Sequence, residues 1–138
     1  MLELNHAKVG ERPNVRYHAA DALALEAARR YDVVFFGFFL SHVPPARFDE
    51  FWHGVGGCRE PGGRVFFVDE ADHGLWEEDW VDRSVGIVRR PLADGTLHRA
   101  VKVLWRPEEL RDRLGSLGWG ASVHPEGPFY WGTAQRHG

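Results

Sequence analysis

The sequence is short of the features that mark several protein classes. Its 138 residues include a single cysteine, Cys58, so no disulfide can form within the chain. The apolar stretch around residues 33–40 is far shorter than the roughly 20 residues of a membrane-spanning helix. The first ten residues lack the apolar core of a signal peptide. These absences favour a protein of the reducing cytoplasm, without a membrane as partner.

An excess of charge of one sign is also missing. The chain has 17 Lys and Arg residues against 20 Asp and Glu residues, a formal net charge of −3. Nothing in this balance calls for a nucleic-acid backbone or an anionic membrane as partner. A hydrophobic content of 43% is that of a globular protein, and the length fits one domain with one core. We therefore expect residues 1–138 to form a single domain.

Several sequence motifs of common enzyme classes are absent. The chain contains no G-x-G-x-x-G, the motif with which dinucleotide-binding enzymes hold a pyrophosphate, which disfavours a nicotinamide-dependent oxidoreductase. It contains no G-x-S-x-G either, which argues against hydrolases built around a nucleophilic serine.

The most informative stretch that is present is YDVVFFGFFLSHVPP, residues 31–45. Six of the seven residues after Asp32 are apolar, β-branched or aromatic, which predicts a strand buried on both faces. Pro44 and Pro45 cannot continue a strand ladder, and Pro45 suits the first turn of a helix. Ser41 and His42 would therefore lie at the carboxyl end of a parallel strand, where open α/β sheets bind ligands.

Helical and strand patterns alternate along the rest of the chain. We predict helices at 1–9, 23–30, 45–58 and 107–117, strands at 13–22 and 65–68, and a hairpin at 121–135. The helix at 45–58 has an apolar face with i, i+3, i+4, i+7 spacing, and the helix at 107–117 has a leucine stripe: Phe48, Phe51, Trp52 and Val55 in the first, Leu110, Leu114 and Leu117 in the second. Residues 97–105 fit a strand or a helix about equally, and Trp76 and Trp80 suggest a short helix. Alternation of this kind with a hairpin at the end predicts the α/β class.

The order of these features resembles the class I S-adenosylmethionine-dependent methyltransferases. The resemblance rests on Asp21-Ala22 after a strand, the YDVVF strand with its loop, REPGG at 59–63 before the next strand, and the hairpin after Gly118-Trp119. Residues 90–105, with the pattern LADG-x-x-H-x-x-VK, resemble bacterial members that act on small molecules. The resemblance covers nearly the whole chain. It implies a partial Rossmann-like methyltransferase sheet with a C-terminal antiparallel hairpin, in a family whose strand order is 3-2-1-4-5-7-6.

The sequence also departs from that family. No Gly-rich E/D-x-G-x-G-x-G loop is present, nor the acidic residue that binds the ribose about 20 residues later. The predicted helix at 1–9 resembles the one that follows this acidic residue. We therefore expect an incomplete, N-terminally truncated domain or a decayed copy, without the first two strands. One edge of the strand at 32–39 would then be open.

The resemblance implies that the cofactor is S-adenosylmethionine and that a methyl group passes to an oxygen or nitrogen of a small molecule. Asp21 would accept a hydrogen bond from the adenine amino group, and the backbone N–H of Ala22 would meet a ring nitrogen. Asp21 could equally cap the helix at 23–30, and both roles can hold together. Gly37 and Phe38 would contact the cofactor through their backbone, although the aromatic side chains here can also be plain core.

His42 is the candidate catalytic residue. An imidazole can take a proton from an attacking hydroxyl or amine near neutral pH. The alternative is a loop histidine bonded only to backbone. Methyl transfer is an in-line displacement that often needs only proximity and orientation, so a dedicated base is not obligatory.

Two further groups are candidate sites. Asp69, Glu70, Asp72 and His73 form an oxygen-rich cluster after the second strand, but a solvated loop explains them better than a metal site, and we expect no metal. A set of aromatic and imidazole side chains could line an apolar substrate pocket or belong to the core: Trp76, Trp80, His98, Tyr130 and Trp131.

A second function comes from another class of protein. A non-catalytic remnant could bind a partner chain, or form a homodimer, through the open sheet edge.

Overall fold

The computed structural model of the protein describes residues 2–26, 29–72, 74 and 77–136. The helices are α1 (Leu2–Val9), α2 (Phe48–Gly57) and α3 (Pro107–Ser116). The strands are β1 (Tyr31–Gly37), β2 (Arg59–Glu70), β3 (Asp79–Asp82), β4 (Ile87–Pro91), β5 (Leu97–Val101), β6 (Trp119–Glu126) and β7 (Phe129–Arg136). Single 3-10 turns lie at Ala22–Ala24, Leu40–His42 and Pro45–Arg47. No helix in these ranges is long and apolar enough to cross a bilayer.

The strands form two sheets. The larger has the order β1-β2-β7-β6, in which β1 and β2 are parallel and β7 is antiparallel to both of its neighbours, β2 and β6. The smaller is the antiparallel sheet β3-β4-β5. The larger order is the 4-5-7-6 half of the sheet that the resemblance implies. The predicted α/β class and the C-terminal hairpin are therefore confirmed.

The core lies between the larger sheet and helices α2 and α3. The predicted apolar face of α2 is buried, with Trp52 fully enclosed at its centre. The Trp52 ring lies 5.7 Å from the Phe36 ring of β1 and 5.1 Å from the Trp119 ring of β6, measured between centroids. Leu110 and Leu114 of α3 complete this layer. One helical face from each helix thus covers a single face of the sheet.

The opposite face of the sheet is open, and the prediction that β1 is buried on both faces is wrong. Val33 and Phe35 of β1 are 60% and 61% exposed. Phe66 and Trp131, on the same face of the neighbouring strands, are also exposed. Successive side chains of a strand point to opposite faces, so helices that pack on one face bury only every second residue. β1 is also an edge strand, as expected.

Several local predictions differ from the structure. Residues 13–22 do not form a strand, since the described sheet ends at β1 and offers this segment no partner. The helix predicted at 23–30 is a 3-10 turn at Ala22–Ala24, and its residues Ala27 and Ala28 lie outside the described residues. Trp80 lies in β3 instead of a helix, and Trp76 is outside the described residues. The ambiguous segment 97–105 contains strand β5.

The REPGG segment bends the start of β2 against β1. Gly62 has a φ of +79°, which a residue with a side chain rarely adopts. A Cβ on Gly63 would lie 3.0 Å from the carbonyl oxygen of Asp32, so only glycine lets the two strands approach this closely. The register between β1 and β2 shifts at this point. Beyond it, Val65, Phe67 and Asp69 face the core.

Candidate functional site

The candidate site lies at the carboxyl ends of β1 and β2. Gly37 ends β1, and the backbone N–H of Phe38 donates to the carbonyl of Val68 at 2.8 Å. Phe38 has a φ of +53°, the only positive φ of a described residue other than glycine. Its ring is 53% exposed and meets the Phe129 ring edge-on, with 5.8 Å between centroids. A bulky residue held in this conformation marks a place where backbone strain is tolerated, as at many functional sites.

His42 ends the 3-10 turn that follows. Its backbone N–H donates to the carbonyl of Phe39, and its ring nitrogen Nδ1 lies 2.8 Å from the carbonyl oxygen of Val101. A carbonyl can only accept, so Nδ1 carries a hydrogen, and in a neutral imidazole the lone pair is then on Nε2. The imidazole is exposed. The ring is thus bonded to backbone, as one interpretation expected, and it is also oriented to accept a proton at Nε2.

Asp21 caps the turn Ala22–Ala24. Its Oδ1 accepts the backbone N–H of Leu23 at 2.9 Å, which is the capping role that we considered. The turn packs against α2, and Arg47 donates to the carbonyl of Leu23 at 3.2 Å. Gly37, Phe38 and His42 therefore lie together in one stretch of chain. Asp21 and Ala22 belong to a separate turn, which contacts α2 and Arg47.

The predicted oxygen-rich cluster after β2 is divided among different partners. Asp69 is buried and accepts the backbone N–H of Ser41, while Glu70 forms an ion pair with Lys102. Asp72 faces Arg106 at 3.7 Å and Arg83 at 4.0 Å, and His73 lies outside the described residues. Within the ranges that the structure describes, no three His, Cys, Asp or Glu side chains are arranged to hold a metal ion.

No protein-family model matches the chain, and no curated protein does. Solved structures do match. DhpI in complex with SAH is 36% identical, with a TM-score of 0.81, over 96% of this chain and 60% of that chain. The DhpI-SAM-HEP complex is 35% identical, with a TM-score of 0.80, over 96% of this chain and 63% of that one. A S-adenosylmethionine-dependent methyltransferase from Clostridium acetobutylicum ATCC 824 is 12% identical, with a TM-score of 0.70, over 99% and 70%.

This chain has the class I S-adenosylmethionine-dependent methyltransferase fold. It spans less than two thirds of the two DhpI chains that it matches. The glycopeptide N-methyltransferase MtfA, complexed with S-adenosyl-L-methionine, shares the fold at 14% identity and a TM-score of 0.61, over 87% of this chain and 64% of that one.

Within the methyltransferase fold, the predicted aromatic pocket does not assemble as one wall. Tyr130 and Trp131 are consecutive in β7 and point to opposite faces of the sheet, Tyr130 into the core and Trp131 to the open face. His98 is exposed on β5, and Trp80 lines a small cavity of about 100 Å³ beside Arg83. Trp76 is outside the described residues. These side chains therefore belong to separate environments.

A buried polar group of the methyltransferase fold escaped the sequence interpretation. Lys102 is 4% exposed, and burial lowers its pKa while the nearby Asp69 carboxylate raises it. Tyr130 is fully buried beside the same carboxylate. The available signal was Lys102 itself, a lysine between Val101 and Val103 in an apolar segment, where a charge needs a partner.

A cleft of about 770 Å³ lies elsewhere, lined by the segment 13–20, Leu25, Tyr31 and Cys58. Tyr31 begins β1, so this cleft is at the amino end of the strand. Ligands of α/β sheets bind at the carboxyl ends, where Gly37, Phe38 and His42 lie. We therefore do not assign the cofactor to this cleft.

Proposed function

We propose that this protein transfers a methyl group from S-adenosylmethionine to an oxygen or nitrogen atom of a small molecule. The observation that carries the proposal is the orientation of His42, whose Nδ1 donates to Val101 and whose Nε2 is left to accept a proton at the carboxyl end of β1. The 36% identity to DhpI, a protein described in complex with SAH, supports the choice of cofactor.

The residues at this end of β1 fit S-adenosylmethionine. Phe38 offers an exposed aromatic ring beside the last residue of β1, and an aromatic face attracts a cation such as a sulfonium. Asp21 uses Oδ1 for its cap, so that Oδ2 can accept from the adenine amino group, next to Ala22. We propose that Gly37, Phe38, Asp21 and Ala22 hold the cofactor. When bound, it supplies an electrophilic methyl group.

His42 would act on the acceptor as a general base. Bound S-adenosylmethionine would supply the methyl group to a lone pair of the acceptor oxygen or nitrogen, with its neutral thioether as the leaving group. The acceptor then carries a proton to be lost. Nε2 of His42 takes this proton, and Nδ1–H stays bonded to Val101, so the ring becomes an imidazolium without having to turn.

Two features of the smaller sheet favour a small molecule as the methyl acceptor. β5 supplies the carbonyl of Val101 that orients His42, so the β3-β4-β5 sheet lies beside the Leu40–His42 turn. This unit contains most of the LADG-x-x-H-x-x-VK segment that resembles methyltransferases of small molecules. We propose that residues 1–138 work as one domain in which this sheet borders the acceptor.

Calorimetric titration with SAH tests the cofactor assignment. We expect micromolar binding, about −8 kcal/mol, to the parent protein and about tenfold weaker binding to Asp21→Asn. Asp94→Asn is the matched control, because Asp94 Oδ1 accepts the N–H of Thr96 at 2.9 Å in the same kind of cap, far along the sequence. A folded parent protein that does not bind SAH refutes the proposal. Equal effects of the two substitutions on the affinity for SAH would mean that Asp21 only caps its turn and does not bind the cofactor.

The role of His42 is tested by turnover. With S-adenosylmethionine and a panel of small alcohols and amines, His42→Gln should lower kcat about 10²-fold or more while KM for the cofactor stays near that of the parent. His53→Gln, which changes an exposed histidine of α2, is the control. Unchanged turnover in His42→Gln would show that His42 is not the general base and that catalysis depends on the orientation of the two reactants.

A second candidate function is self-association through β1. The exposed edge of β1 favours antiparallel pairing with β1 of a second copy about a two-fold axis, which would pair the edge and bring the exposed side chains Val33 and Phe35 of the two copies together on one sheet face. Light scattering from micromolar to nearly millimolar protein tests this homodimer. A monomer at every concentration refutes it, and Phe35→Lys should abolish any dimer.

We further infer a cytoplasmic location, supported by the buried free thiol of Cys58. Fractionation of the native cell, followed by detection of the protein, tests this location.

A further inference from the structure

Asp69 is a buried carboxylate at the carboxyl end of β2. It is 1% exposed and faces the core side of the sheet. Both of its oxygens accept backbone hydrogen bonds: Oδ2 from Ser41 at 2.9 Å and Oδ1 from Glu70 at 2.8 Å. Buried carboxylates are costly unless they are bonded in this way. Asp69 therefore joins the end of its own strand to the turn that follows β1.

The turn is also held from its other side. The carbonyl of Ser41 accepts the backbone N–H of Val103 at 2.7 Å, so the backbone of Ser41 is fixed through both its donor and its acceptor. The Ser41 hydroxyl, by contrast, is buried and has no hydrogen-bond partner in the described part of the chain. The position of this residue is thus set by its backbone and not by its side chain.

Three consecutive residues contact both the Leu40–His42 turn and the end of β2. Val101 accepts from the ring of His42, Lys102 pairs with Glu70 close to the Asp69 carboxylate, and Val103 donates to Ser41. Lys102 is almost fully buried, and its amino group lies beside the carboxylates of Glu70 and Asp69. The segment 101–103 is therefore fastened to the end of β2 and to the turn at the same place.

We propose that Asp69 is a positioning residue, which fixes the Leu40–His42 turn so that the His42 ring donates from Nδ1 to Val101 and presents Nε2. The proposal rests on the function proposed for His42, but its physical content is a tautomer that can be measured without cofactor or turnover. Asparagine at position 69 keeps one acceptor oxygen for the two backbone donors Ser41 and Glu70 and carries no charge, so it weakens the hold on the Ser41 N–H and leaves Lys102 with less negative charge around it. The turn then moves relative to Val101, and the ring loses its acceptor.

The test is nitrogen-15 NMR of the His42 ring at a pH where imidazole is neutral, with the signal assigned by comparison with His42→Gln. The parent protein should show mainly the Nδ1–H tautomer, although free imidazole side chains favour Nε2–H. In Asp69→Asn the ratio of Nδ1–H to Nε2–H should fall about fivefold, the effect of one ordinary hydrogen bond. Glu50→Gln removes an exposed carboxylate paired with Arg47 and should leave the ratio unchanged.

Ser41→Ala separates the backbone from the side chain. It keeps the N–H that Asp69 accepts and removes only the unpartnered hydroxyl, so the tautomer ratio should stay that of the parent. A change as large as that of Asp69→Asn would show that the hydroxyl holds the turn, and would overturn the proposal. A folded Asp69→Asn protein with the parent ratio would also overturn it.

Lys102→Met provides a second approach if Asp69→Asn does not fold, as judged by circular dichroism. It keeps an unbranched apolar chain and removes the positive charge between Glu70 and Asp69. We expect a fall in the same ratio by about twofold, and an unchanged ratio in the folded variant refutes the proposal. These outcomes are distinct from those of the SAH titration, since the tautomer can respond as expected in a protein that binds no SAH.

Discussion

Tyr130 lies directly opposite Asp69 in the β2–β7 ladder, and both side chains are buried. The Tyr130 hydroxyl has no hydrogen-bond partner among the described residues. A buried hydroxyl without a partner costs the free energy of its lost hydration. Tyr130→Phe should therefore raise the free energy of unfolding by about 1 kcal/mol, measured by urea denaturation at neutral pH. A loss of stability would mean that this hydroxyl has a partner after all.

The same pair sets a dependence on alkaline pH. Burial, and secondly the Asp69 charge, raise the pKa of Tyr130 well above its usual value. Above about pH 10 the unfolded tyrosine loses its proton while the folded one keeps it. The folded state then binds more protons, so stability falls as pH rises. Tyr130→Phe should remove this part of the alkaline loss, whereas Tyr31→Phe, at an exposed position, should not.

Phe38, which directly follows β1, should tolerate a change that residues within the strand do not. At its φ of +53° a large side chain costs about 1–2 kcal/mol, which Phe38→Gly relieves. Phe35 is comparably exposed but lies in regular strand, so Phe35→Gly gains nothing to offset its loss of strand stability. We expect Phe38→Gly to change the free energy of unfolding by less than about 0.5 kcal/mol and Phe35→Gly to lower it by about 1 kcal/mol. Equal losses would show that no strain is stored at Phe38.

Leu114 fixes α3 to the sheet and should be sensitive to truncation. It is fully buried in the core cluster with Leu110 and Trp119. Leu114→Ala should lower the free energy of unfolding by about 2–4 kcal/mol, because it loses apolar burial and leaves a cavity. Arg111→Ala, on the exposed side of the same helix, should stay within about 0.5 kcal/mol. Thermal and urea denaturation of the two variants test this contrast.

Cys58 should be chemically protected in the native state. Its side chain is buried, and burial raises the pKa of the thiol, so little reactive thiolate forms at pH 8. We expect reaction with a disulfide reagent to be about 10²-fold slower than in the unfolded protein. The reaction in urea supplies the reference rate. A native rate equal to that in urea would contradict the burial of this residue.

Much of the fold could be predicted because its signals are local. The i, i+3, i+4, i+7 spacing of α2 and the leucine stripe of α3 report which helical face is buried, and both faces are buried as predicted. The turn before Phe129 defines the hairpin in the same way. What failed was burial on both faces of β1, because an apolar strand shows that a face can be covered but not whether a helix is there to cover it.

The candidate site was predictable only in part. His42 could be placed at the end of a strand from its position before two prolines, and the structure brings it close to Gly37 and Phe38. Its hydrogen bond to Val101 and the bond between Ser41 and Asp69 join residues far apart in the sequence. No periodicity encodes such contacts. The left-handed backbone of Phe38 was equally invisible, since it contradicts the preference of its side chain.

The position of β2 also governs the order in which the chain can fold. Phe66 pairs on one side with Phe35 and on the other with Thr133, so both neighbours of this strand are distant along the chain. β6 and β7, by contrast, are separated by Gly127 and Pro128 alone and can pair within microseconds. The hairpin and α3 can therefore assemble before β2 pairs with β7. We therefore expect the closure of the long loop between β2 and β7 to be the slowest step, and substitutions along the β2–β7 pairing to act mainly on the folding rate.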